Sequence, residues 1–140
     1  MSATKTGAEL LENLIAFIRR FVVLSETQAL LIALWIIHTH ALDAADTTAY
    51  LNIHSAEKRS GKTRLLETLD LLVARPWFTG RVTSAVLVRK VAAETPTLLL
   101  DESDAAFNGN REYAEALRGV LNAGFRRGGV ASLCVGQGRT

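Results

Sequence analysis

A chain of 140 residues is at most one domain, and a hydrophobic content of 49% excludes a disordered chain. The 16 Lys+Arg against 14 Asp+Glu leave a net charge of +2, so bulk charge gives no argument for nucleic acid, and any such contact needs a local patch. Cys134 is the single cysteine; it excludes an intrachain disulfide framework or a cysteine zinc site and reads as a small buried hydrophobe in a reducing compartment.

The chain opens with Glu9 and Glu12 and no early apolar run, so no secretory leader is expected. The most apolar run, residues 29–37, is too short to span a bilayer. The expectation is a cytoplasmic protein with no membrane segment. Residues 8–24 have the period of an amphipathic helix, with Leu10, Leu11, Leu14, Ile15, Ile18, Phe21 and Val22 on its apolar side. Glu9 and Glu12 come early and Arg19 and Arg20 late, in the sense the helix dipole favours.

Ser25 with Gln28 three residues on predicts a capping box and a second helix over 26–45, around Leu30, Leu31, Leu34, Trp35 and Ile37. Trp35 reads as core. His38 and His40, at i and i+2, share no helix face and make poor joint metal ligands. Asp43, Asp46, Thr47 and Thr48 form a polar approach to the next stretch. By analogy, such a helical lead-in is placed to pack against a nucleotide base.

Residues 50–54 read as a short buried strand and 55–60 as a polar turn. Gly61-Lys62-Thr63 then opens a helix carrying Leu65, Leu66, Leu69, Leu72 and Val73. Strand, loop, GKT and helix make the setting of a phosphate-binding P-loop. Backbone N–H groups at a loop and helix start converge on one spot and favour an anion there. The candidate phosphate set is Glu57, Lys58, Arg59, Ser60, Gly61, Lys62, Thr63 and Arg64. Lys62 adds a point charge for the β- and γ-phosphates, and the Thr63 hydroxyl is a candidate Mg²⁺ ligand. The usual pattern is GxxxxGK[ST]; here Ala56 stands at the first glycine. The plainer reading is a polar turn that caps a helix.

Pro76 blocks easy continuation of that helix. Residues 77–83 suit a short strand interrupted by Gly80, and Thr83 or Ser84 caps a short helix, 85–92, that carries Arg89 and Lys90. Residues 96–100 are a continuous apolar run, as in a strand buried on both faces of a parallel sheet. It ends in Asp101 and Glu102. In ATPases with an added catalytic glutamate this is the Walker B strand: Asp101 holds Mg²⁺, largely through water, and Glu102 orients and polarises the attacking water, so that Glu102 and Lys62 are the catalytic candidates. The plainer reading makes the two acids the start of a solvated loop that also holds Asp104.

Asn110 is a fair N-cap for a helix over 111–125 with Tyr113, Leu117, Val120 and Leu121 on one face. Arg126 and Arg127 follow, flanked by Gly124, Gly128 and Gly129. They either complement the helix dipole or present a guanidinium finger to a neighbour's ATP or a DNA backbone. Residues 130–135 read as a further apolar strand.

Residues 21–77, then TLLLDESDAAF, then LRGVLNAGFRRGG, resemble a family of bacterial, phage-linked and plasmid-linked P-loop ATPases that lie beside, or are fused to, primase–polymerase modules. The resemblance implies an α/β fold. Its core is a RecA-like or AAA+-type P-loop NTPase with a mostly parallel sheet, preceded by two N-terminal helices. Residues 1–48 are then the lead-in and 49–140 a partial core, both in one domain, with the last core strand expected to be missing. It implies ATP and Mg²⁺ as cofactors, and DNA, further copies of the chain, and primase or other replication proteins as partners. The expected function is Mg²⁺-dependent ATP hydrolysis in a DNA replication, helicase-type or mobile-element protein. The alternatives are a non-hydrolysing nucleotide-binding fragment and, after it, a P-loop small-molecule kinase. A GTPase needs DxxG and NKxD motifs, and neither occurs.

Overall fold

In the computed structural model, which describes residues 6–54, 61–80, 82–101 and 110–128, the first two helices start on reciprocal side-chain caps. The Thr6 hydroxyl accepts from the Glu9 N–H and the Glu9 carboxylate accepts from the Thr6 N–H, starting α1 (Gly7–Arg19). Ser25 and Gln28 do the same for α2 (Glu26–His40), as their spacing predicts. α2 stops short of residue 45 and gives way to a 3-10 turn, Leu42–Ala44. In a continued helix the Asp43 carbonyl would accept from residue 47. It accepts instead from the Arg127 guanidinium, which also reaches the Ala45 carbonyl at 3.3 Å.

α3 (Lys62–Asp70) begins at the GKT triplet as expected. β1 (Pro76–Thr79) starts on a proline, where a strand loses least from the missing N–H. α4 (Ser84–Glu94) is capped by Thr83 and crosses to β2 (Thr97–Leu100). α5 (Arg111–Gly124) is capped by Asn110. β1 and β2 are parallel, in the register Trp77 to Leu98 and Phe78 to Leu99. A parallel pair needs a crossover such as α4.

Side chains alternate across β2. Leu99 enters a cluster built from α1, α2 and α3, with Ile18, Ile36, Leu65 and Leu69 among its buried members. Leu98 and Leu100 pack on the other side against Leu87 of α4 and Tyr113, Leu117 and Val120 of α5. The apolar run is thus covered on both faces, as read from the sequence. Among the described residues the fold is α/β, with five α-helices and a two-stranded parallel sheet.

The reading of 50–54 as a buried strand is corrected: it joins no sheet among the described residues. Leu51 and Ile53 pack on the first cluster while Tyr50, Asn52 and His54 stay exposed, so one-sided packing produces the alternation without a ladder. Residues 45–50 are instead clipped between the C-terminal ends of α2 and α5. The Trp35 indole donates to the Ala49 carbonyl at 3.0 Å and His38 Nε2 lies 2.8 Å from Thr48 Oγ1. The Thr48 N–H donates to the Phe125 carbonyl and the Arg127 N–H to the Asp46 carbonyl. The Tyr50 hydroxyl donates to the Leu121 carbonyl at 2.6 Å. Gly124 permits this approach: a Cβ there would sit 2.9 Å from the Tyr50 hydroxyl.

The expected strand over 130–135, Cys134, Ala56 and the turn over 55–60 lie outside the described residues. No helix among the described residues is long and apolar enough to cross a membrane.

Candidate functional site

Gly61 has φ 84°, a left-handed conformation that an L side chain adopts only at a cost. It turns the chain sharply into α3. The first intrahelical bond runs from the Leu65 N–H to the Gly61 carbonyl at 2.9 Å. The N–H groups of Lys62, Thr63 and Arg64 therefore precede the intrahelical ladder and carry the positive end of the helix dipole. Lys62 is half-buried at the first helical position, and its ammonium has no hydrogen-bond or ion-pair partner among the described residues.

The Thr63 hydroxyl donates to Asp101 Oδ2 at 3.0 Å, across 38 residues of sequence. α3 packs on both strands, which brings its first turn over their carboxyl ends. Asp101 directly follows β2, and its N–H extends the pairing by one bond, to the Thr79 carbonyl at 3.1 Å. Open parallel sheets bind ligands at this end of their strands. Adjacent oxygen ligands of an octahedral Mg²⁺, each about 2.1 Å from the ion, lie about 3 Å apart. The two oxygens have that separation. The donor bond to Asp101 uses the hydroxyl's proton and leaves its lone pairs for a cation.

Of the other residues singled out in sequence, Glu57, Lys58, Arg59, Ser60 and Glu102 lie outside the described residues. Arg64 pairs with Glu67 at 3.3 Å on the exposed face of α3. Arg126 lies with its guanidinium 5.1 Å from the Phe125 ring and forms an antiparallel bridge with Thr47. The Arg127 guanidinium is spent on the carbonyls of Asp43 and Ala45. His38 and His40 go to separate partners, Thr48 and the Leu72 carbonyl. No group of three His, Cys, Asp or Glu that could hold a metal occurs among the described residues.

Sequence reasoning missed two contacts around this site. Val22, in the turn between α1 and α2, lies 3.9 Å from where a Gly61 Cβ would be. Tyr50 ties the approach segment to α5. Nothing local marks either residue, because both partners come from distant helices. Burial pushes the Tyr50 and Tyr113 hydroxyls above the ordinary tyrosine range. The buried Tyr113 hydroxyl has no hydrogen-bond partner among the described residues.

The chain matches no protein-family model, no curated protein and no solved structure.

Proposed function

We propose that this chain binds ATP with Mg²⁺ at the start of α3 and hydrolyses it, as the ATPase module of a DNA replication, helicase-type or mobile-element protein on a RecA-like P-loop core. One observation carries the reading: the Thr63 hydroxyl meets the Asp101 carboxylate at 3.0 Å. A polar turn that merely caps a helix has no need of an acid at the end of a distant strand.

The N–H groups of Lys62, Thr63 and Arg64 hold phosphate oxygens, and the Lys62 ammonium offsets charge on the β- and γ-phosphates. Thr63 and Asp101 supply oxygens to Mg²⁺, which neutralises charge on the phosphates when bound. Glu102 orients the attacking water. The partners that accompany this reading are DNA, further copies of the chain, and primase or replication proteins.

Calorimetric titration of Mg·ATP into wild type and Lys62→Ala tests it. Loss of a charge-assisted contact is worth about 1.5–3 kcal/mol, so affinity falls at least about tenfold. Equal affinities refute the phosphate site. Glu102→Gln binds ATP but does not turn it over; turnover equal to wild type removes Glu102 from the mechanism. Comparing turnover with and without single-stranded DNA tests the nucleic-acid partner.

A further inference from the structure

α1 and the turn that follows it carry two apolar rows, which follow from about 100° of rotation per residue. Leu11, Ile15, Ile18 and Val22 face the first core cluster. Leu10, Phe17 and Phe21 form the neighbouring row and belong to neither cluster, while half-buried Leu14, between the two rows, packs against the first cluster. Leu10 and Phe21 are each 45% exposed. The Phe17 and Phe21 rings lie 5.1 Å apart, so the row is continuous at that end.

Glu9, Asn13, Ala16 and Arg20 flank this row on the side away from the core. The Arg20 guanidinium leans over the Phe21 ring at 6.0 Å, which sets its charge at the row's edge. The flank is thus acidic where the row begins and basic where it ends. That order complements itself under a two-fold axis. An antiparallel copy sets Leu10 against Phe21 and Leu14 against Phe17. It also brings Glu9 within about 3 Å, along the axis, of Arg20 in the other chain, and does so twice. A parallel two-fold copy would carry the charged flanks to opposite sides of the seam and make neither Glu9–Arg20 pair.

We infer that the outer row of α1 is a dimer interface, occupied by α1 of a second copy of this chain in antiparallel, two-fold contact. The apolar row drives association, and the paired charges fix direction and register. The inference does not depend on nucleotide binding.

Sedimentation of the full chain across a dilution series tests it, with far-UV circular dichroism as the check on folding. Wild type is a dimer that dissociates on dilution. Phe21→Asp is a monomer with unchanged helix content. Arg20→Glu turns two attractions into two repulsions and weakens the dimer about tenfold. The double variant Glu9→Arg, Arg20→Glu restores it, although the α1 capping box is lost, because the reversed charges still complement each other. A wild-type monomer at every concentration overturns the inference, and so does a double variant no tighter than Arg20→Glu. Leu30, Leu31 and Leu34 form an exposed apolar row on α2. If Leu31→Lys dissociates the dimer while the α1 variants do not, pairing runs through α2 and the assignment to α1 fails.

Discussion

The contact between Thr63 and Asp101 can be measured before any ligand is added. Thr63→Val removes the hydroxyl and keeps the side-chain volume; Asp101→Ala removes the acceptor. Thr63 is exposed and Asp101 half-buried, so water competes for both and the net worth of the bond is about 1 kcal/mol. For 140 residues the unfolding entropy is about 0.3 kcal/mol/K, so Thr63→Val loses roughly 3 °C in Tm, and Asp101→Ala, which has a further interaction to lose, at least as much. The double variant loses less than the sum of the two, with a coupling of about 1 kcal/mol. Mg·ATP at about 100 times its Kd stabilises wild type by about 2.7 kcal/mol, or about 9 °C. Thr63→Ser keeps the hydroxyl and retains that rise, while Thr63→Val loses most of it. Zero coupling in thermal melts without ligand makes the contact incidental. An equal Mg·ATP shift in wild type and Thr63→Val removes Oγ1 from the cation's ligands.

Two further expectations concern the backbone and the tyrosines. A Cβ at Gly61 would meet only Val22 at 3.9 Å, an ordinary contact, so Gly61→Ala costs only its left-handed backbone, about 1–2 kcal/mol. An unchanged melting temperature refutes that conformation. Tyr113→Phe deletes a buried hydroxyl that has no partner among the described residues and stabilises by about 1 kcal/mol, whereas Tyr50→Phe deletes the bond to Leu121 and destabilises by a similar amount. Chemical denaturation of the two variants checks the opposite signs. Both hydroxyls are held above their ordinary value by burial. A folded pKa above the unfolded one contributes stability that is complete below the unfolded value and lost as pH rises through the folded one. Wild-type stability therefore declines above about pH 10, and declines less when both tyrosines are Phe.

Local chemistry alone determined the helix starts. Thr6 with Glu9, Ser25 with Gln28, and Asn110 with Tyr113 each satisfy a backbone N–H within three residues, so their geometry is written into neighbouring letters. The same holds for the start of α3 at Gly61 and for the apolar run of β2, whose composition suits a strand covered on both faces. Tertiary structure decided what no spacing expresses. The alternation over 50–54 describes one-sided packing as well as it describes a ladder, and the seating of Leu51 and Ile53 on the first cluster, with Tyr50 tied to α5, selected the former. Arg126 and Arg127 are chemically equivalent in the chain, yet Arg127 is drawn to carbonyls more than eighty residues away while Arg126 rests on Phe125. Thr63 and Asp101 are separate motif letters until α3 packs across the carboxyl ends of β1 and β2. Contacts within a helical turn need only the backbone's own period, whereas a pair 38 residues apart exists only once burial of Leu65, Leu69 and Leu99 in one core has set helix against sheet.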